Sequence, residues 1–155
     1  MRKIYIVFII LSIAAIGCEE NKLPKNPSLA ELEKFIRNTQ DSRATHTFFQ
    51  YERILEELAD DKYVVLPINE FRDSVNKSRV LVGMRHDVDC HPFKALAMAR
   101  LEKKYHIRST YYVLATGKYY GRFTPDSIRR FRSMEVVYKD LHYLGHEIGI
   151  HNDLL

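Results

Sequence analysis
The chain has 155 residues, about the length of one domain, and its 46% apolar and 28% charged residues are a globular rather than a disordered composition. Lys and Arg total 24 against 20 Asp and Glu, a formal charge of +4 with no basic block behind it, so composition gives no case for nucleic-acid binding. Two cysteines, Cys18 and Cys90, exclude a disulfide-rich scaffold.

In chain order, Arg2 and Lys3 precede an apolar run from Ile4 to Ile16. As a helix this run spans roughly 20 Å, short of the roughly 30 Å of a bilayer core, so it reads as a secretory signal rather than a membrane span. Ala15-Ile16-Gly17-Cys18 resembles a bacterial lipobox, with Ala15 standing where leucine is usual. Cleavage before Cys18 removes residues 1–17, leaves Cys18 as a lipidated N-terminus and places the protein in the bacterial cell envelope, anchored to a membrane. An ordinary cleaved signal with an incidental cysteine is the simpler alternative. Residues 18–45 read as a tether, with two prolines in 19–27, followed by a helix near 28–38 with Ser28 and Glu31 in capping-box spacing.

Residues 46–155 carry the regular pattern. Tyr51, Ile54, Leu55 and Leu58 share helical spacing and predict a helix from about Phe48 to Ala59, and KYVVLPI predicts a short buried strand. RVLVGMR from Arg79 is a second strand. Pro92 opens a helix at its first position, STYYVLA (109–115) is a third strand, and TGKYYGRF is a loop. Thr124-Pro125-Asp126 predicts the start of a helix running to Leu144, with Gly145 as its C-cap, and HEIGIH is the last strand. The order β-α-β-α-β predicts an α/β fold with a parallel sheet.

In such folds the functional residues gather at the C-terminal ends of the strands. One strand here ends in Arg85-His86-Asp87-Val88-Asp89-Cys90-His91 and another in His151-Asn152-Asp153. Asp87 and Asp89, at i and i+2, share one side of an ideal strand. With a histidine across the face, they suit a divalent metal with mixed O and N ligands, one carboxylate binding and the other accepting a proton from water. Simpler roles fit the same residues: Asp89 or Cys90 as the cap of the helix from Pro92, His151 as a satisfied histidine, and His146 as a helix-end contact. His86, Cys90 and His91 also form a candidate zinc cluster, although neighbouring residues diverge in direction.

The intact strings RHDVD (85–89) and GHEIGIH (145–151), together with the segment FFQYERILEELADDKYVVLPINEF before them, resemble a polysaccharide deacetylase of the NodB-homology, carbohydrate esterase family four-like type. The resemblance is to its RHDVD/GHEIGxH subgroup. It implies a distorted β/α barrel and metal-dependent removal of acetyl groups from a carbohydrate, cleaving an amide or an ester bond. It assigns Asp87 as the general base, and Asp89 and His151 as ligands of a divalent metal, zinc by expectation. The second motif histidine falls at Leu155, so His146 or His86 becomes the candidate additional ligand. The segments carrying a substrate-positioning arginine and a general-acid histidine lie later in the family, so the resemblance implies a partial domain that a C-terminal half would complete. A non-catalytic surface lipoprotein that binds glycan or a partner is the second expectation.

Overall fold
The computed structural model describes residues 6–12, 48–72 and 78–152. The elements are β1 (Ile6–Ser12), α1 (Phe48–Leu58), β2 (Tyr63–Leu66), α2 (Ile68–Arg72), β3 (Val80–Val88), α3 (Pro92–Lys104) and β4 (Thr110–Leu114). They are followed by β5 (Gly121–Thr124), β6 (Ser127–Arg130), α4 (Arg132–Leu144) and β7 (Glu147–His151). Cys18, the tether and the helix expected near 28–38 lie outside the described residues, as do Asp153 and Leu155.

Five strands form one parallel sheet and β5–β6 an antiparallel ribbon. The apolar run read from sequence as a leader supplies β1, which pairs with β3 from Leu81 to Asp87. Its isoleucines, valine and phenylalanine favour the strand state. The opposite edge of β3 is shared end to end: β2 takes Val80–Gly83 and β4 takes Arg85–Val88. The junction is bridged by α2, whose Ile68 N–H donates to Thr110 Oγ1 at 2.8 Å and Asn69 N–H to Glu147 Oε2 at 3.1 Å.

Strand alternation divides the side chains between two faces. One face carries Val82, Met84, His86 and Val88 of β3 with Tyr111 and Val113 of β4, and it buries them under the helices. Phe93, Leu96, Ala99, Met134, Val137 and Leu141 of α3 and α4 pack there, while Leu55 and Leu58 of α1 cover Val82 and Met84. Ala95 and Ala99 are fully buried, and their small side chains let α3 lie close on the sheet. The other face carries Arg85 and Asp87, Thr110 and Tyr112, then Glu147, Gly149 and His151.

Most of the regular elements match the sequence reading. Pro92 is the first residue of α3, and Gly145 ends α4 with φ +91°, a left-handed conformation that favours glycine. Three segments depart. KYVVLPI stays a strand only to Leu66, and α2 takes over from Ile68. TGKYYGRF, expected as a loop, gives Gly121–Phe123 to β5. Thr124-Pro125-Asp126 does not start a helix; Pro125 and Asp126 turn the β5–β6 hairpin, and α4 begins at Arg132. Arg122–Arg129 and Phe123–Ile128 pair across the ribbon, a period of two that the helix-start motif masked.

Candidate functional site
The strands run parallel, so the ends of β3, β4 and β7 lie side by side, with Val88 opposite Val113 and Leu114 opposite His151. Asp87, half a turn of pleat from the buried His86, faces away from the helices and is almost covered. Arg85, two residues earlier on the same face, donates from both Nε (3.1 Å) and Nη2 (2.5 Å) to Asp87 Oδ1. Both contacts fall on one oxygen, so Oδ2 carries no Arg85 contact. The Arg85 guanidinium also stacks 4.6 Å from the centre of the Tyr112 ring, so its orientation is fixed by β4. The Tyr112 ring in turn lies against Gly149 of β7, where a Cβ would come within 2.5 Å of it.

Asp89 and His151 meet across β4. Asp89 Oδ1 is 3.2 Å from His151 Nδ1, and both side chains are partly exposed. That nitrogen is buried and has no aligned hydrogen bond, so the pair is a close approach of an O and an N donor rather than a formed hydrogen bond. An orphaned imidazole nitrogen beside a carboxylate oxygen fits two positions of a mixed O/N cation site. Among the described residues no group of three or more His, Cys, Asp or Glu side chains forms such a site.

The two candidate additional ligands are placed elsewhere. His86 and His146 converge on Glu102 of α3, on the helix-covered face of the sheet, and the side chains of all three are fully buried. His86 Nε2–H donates to Glu102 Oε1 at 2.5 Å, and Tyr51 OH donates to the same oxygen. Ser109 Oγ (2.6 Å) and Tyr111 OH (3.1 Å) donate to Oε2. His146 Nε2–H donates to the Ala99 carbonyl at 3.1 Å while its Nδ1 accepts from the Ser109 N–H at 3.2 Å, which defines one neutral tautomer. These histidines tie β3 and the start of β7 to α3. The alternating pleat explains the His86 position, because it points opposite to Asp87.

Burial of Glu102 favours its neutral acid, but the facing His86 and His146 and the Ser109 hydroxyl outweigh that and hold the carboxyl below its ordinary range. Burial depresses His146 below the usual histidine value, against the pull of Glu102. Burial, reinforced by Glu102, raises Tyr51 and Tyr111 far above the ordinary phenol, so both remain donors. Sequence reading passed over Glu102 because LEKKY reads as a solvated helix end. Nor did it give a part to Arg85. The Tyr119 hydroxyl donates to the Val88 carbonyl beside Asp89.

The residue before α3 is His91, and its side chain makes no cap hydrogen bond. Cys90 and His91 are half-buried and do not gather with His86 into a metal cluster among the described residues.

The arrangement defines a class first: an α/β protein with a parallel sheet that presents acidic and histidine side chains at its strand ends. Among solved structures, the fold is similar to the Streptococcus pyogenes deacetylase PplD in complex with acetate, with a TM-score of 0.51 and 15% sequence identity. The similarity covers 97% of this chain and 56% of that one, so the chain spans about half the length of that structure. No family model matches the sequence, and no curated protein matches it.

Proposed function
We propose that the chain carries the N-terminal part of a metal-dependent carbohydrate deacetylase. The observation that carries this reading is the meeting of Asp89 and His151 at 3.2 Å, beside an Arg85-oriented Asp87, at the ends of parallel strands. The similarity of fold to a protein described as a deacetylase, solved with acetate, supports it. Asp89 and His151 would hold a divalent cation, zinc by preference, which when bound polarises the acetyl carbonyl and stabilises negative charge on it.

The chain's own groups do the remaining work. Asp87 Oδ2 takes the proton of the attacking water as its oxygen bonds to the acetyl carbon. Arg85, bound to Oδ1, keeps the carboxylate aimed during the transfer. Collapse then breaks the C–N or C–O bond and releases acetate, while the departing nitrogen or oxygen takes a proton. The family resemblance places the donor of that proton in later segments. Further strands beyond those described would complete the barrel.

In this reading residues 1–17 act as a leader, so the mature sheet lacks β1 and β3 takes its place at the edge, and Cys18 carries the lipid, fixing the enzyme to the bacterial envelope. Leu155, in place of the second motif histidine, favours a second reading: a surface lipoprotein that binds glycan without turning it over. Acetate release from N-acetylated oligosaccharides by the protein that includes the later segments, measured with and without added zinc, decides between them. Zinc-dependent release supports the enzyme; glycan retention without release, independent of zinc, supports the binding protein.

A further inference from the structure
The β5–β6 hairpin leaves the sheet at the edge where the candidate site lies. Tyr119 fixes its base: the hydroxyl donates to the Val88 carbonyl at 2.5 Å, one residue before Asp89, and accepts from the Leu114 N–H at 3.0 Å. The Phe131 N–H closes the other side on the Tyr120 carbonyl at 2.9 Å. From this base every residue from Arg122 to Arg130 is exposed.

The register sets Arg122 opposite Arg129 on one face of the ribbon and Phe123 opposite Ile128 on the other. Like charges directly opposite each other destabilise a strand pair. Arg130 is met by Glu135 at 3.8 Å, whereas Arg122 and Arg129 have no ion-pair partner among the described residues. Residues 116–132 contain Lys118, Arg122, Arg129, Arg130 and Arg132 against Asp126 alone, so their formal charge equals the +4 of the entire chain. The hairpin itself, Gly121–Arg130, carries a net +2 of this from Arg122, Arg129 and Arg130 against Asp126, and Lys118 and Arg132 flank its base.

We propose that this hairpin is an anion-recognising subsite, so that the glycan acted on carries a charged acidic group in its repeat. The proposal rests on the deacetylase reading and gives it a substrate class. An anionic group seated between the Arg122 and Arg129 guanidiniums would replace their mutual repulsion with two charge-assisted contacts.

The test is calorimetric binding of two N-acetylated hexasaccharides to the full chain. One is hyaluronan hexasaccharide, with a carboxylate in each repeat, and the other is neutral N-acetylchitohexaose. The expected result is a preference of about tenfold or more for the charged probe at low salt, shrinking as salt is added. The preference disappears in R122Q/R129Q and persists in R122K/R129K; both pairs are exposed, and unchanged circular dichroism confirms the fold. Equal binding of the two probes, or a preference that survives R122Q/R129Q, overturns the proposal. So does binding to phosphatidylglycerol vesicles without binding to the charged hexasaccharide. Zinc binding by the same chain separates the two readings. Zinc binding that is lost in Asp89→Ala, without a charge preference, removes the subsite alone, and a charge preference without zinc binding keeps the subsite and removes the metal-dependent deacetylase.

Discussion
Asp87 and Asp89 are two residues apart, yet their surroundings give them different work. Asp87 is nearly buried and has its Oδ1 occupied by Arg85, whereas Asp89 is more exposed and faces an unpaired imidazole nitrogen. A base and a ligand need those two environments. On the proposed deacetylase reading, Asp87→Asn keeps the shape and removes the proton acceptor. It should lower turnover by roughly 10²–10⁴-fold with bound zinc unchanged, measured as acetate release beside metal content. Retained turnover contradicts the assignment. Glu102 belongs to stability instead. Its carboxyl is depressed in the fold, so its contribution is present above its ordinary value of 4.5 and is lost as pH falls through the lower folded value. His146 is also depressed, so acidification through its ordinary 6.5 charges the unfolded chain first and destabilises the fold from there downward. Thermal melts should therefore fall steadily from about pH 7 towards pH 4. Glu102→Gln should cost about 3 kcal/mol at pH 7, because the donors around it lose a charged acceptor. A flat melting profile, or a neutral substitution, contradicts this account.

At the scale of elements, what sequence showed depended on whether a pattern had one meaning. The apolar strands β3 and β4, the proline opening α3 and the glycine ending α4 each had one reading, and they locate both motif-bearing strand ends. Thr124-Pro125-Asp126 had two, since the same residues cap a helix or turn a hairpin, and only the cross-strand pairs in space choose between them. Parity along β3 already separates His86 from Asp87, so its place under the helices was legible. The arrival of Glu102 from α3 was not, because it depends on how that helix packs. Gly149 shows how β7 serves β3. Its missing side chain leaves room for the Tyr112 ring that supports Arg85, and Arg85 orients Asp87. Gly149→Val should displace Tyr112, cost about 1–3 kcal/mol through overpacking and weaken turnover beyond the loss of folded protein. A crystal structure of this variant with Tyr112 and Arg85 unmoved contradicts that chain of contacts.

For the molecule as a whole, the site is a property of the assembled sheet, since Asp89 and His151 lie far apart in sequence and meet only when β3, β4 and β7 stand in register. The run Ile6–Ser12 suits both a leader and the strand beside β3, and its apolar, β-branched composition is why sequence alone admits both. Among the described helices none is long and apolar enough to cross a membrane, so the anchoring proposal rests on Cys18. Fold similarity reaches about half of the PplD structure, and it is the parallel sheet carrying these strand ends that the account asks to bind a cation. Calorimetric titration of zinc into the full chain, beside Asp89→Ala and His151→Ala, tests that most directly. The account predicts saturable binding in the parent chain and at least roughly tenfold weaker binding in each variant, a loss consistent with removing one of very few ligands. Zinc binding of equal strength in all three chains would show that Asp89 and His151 do not form the metal site.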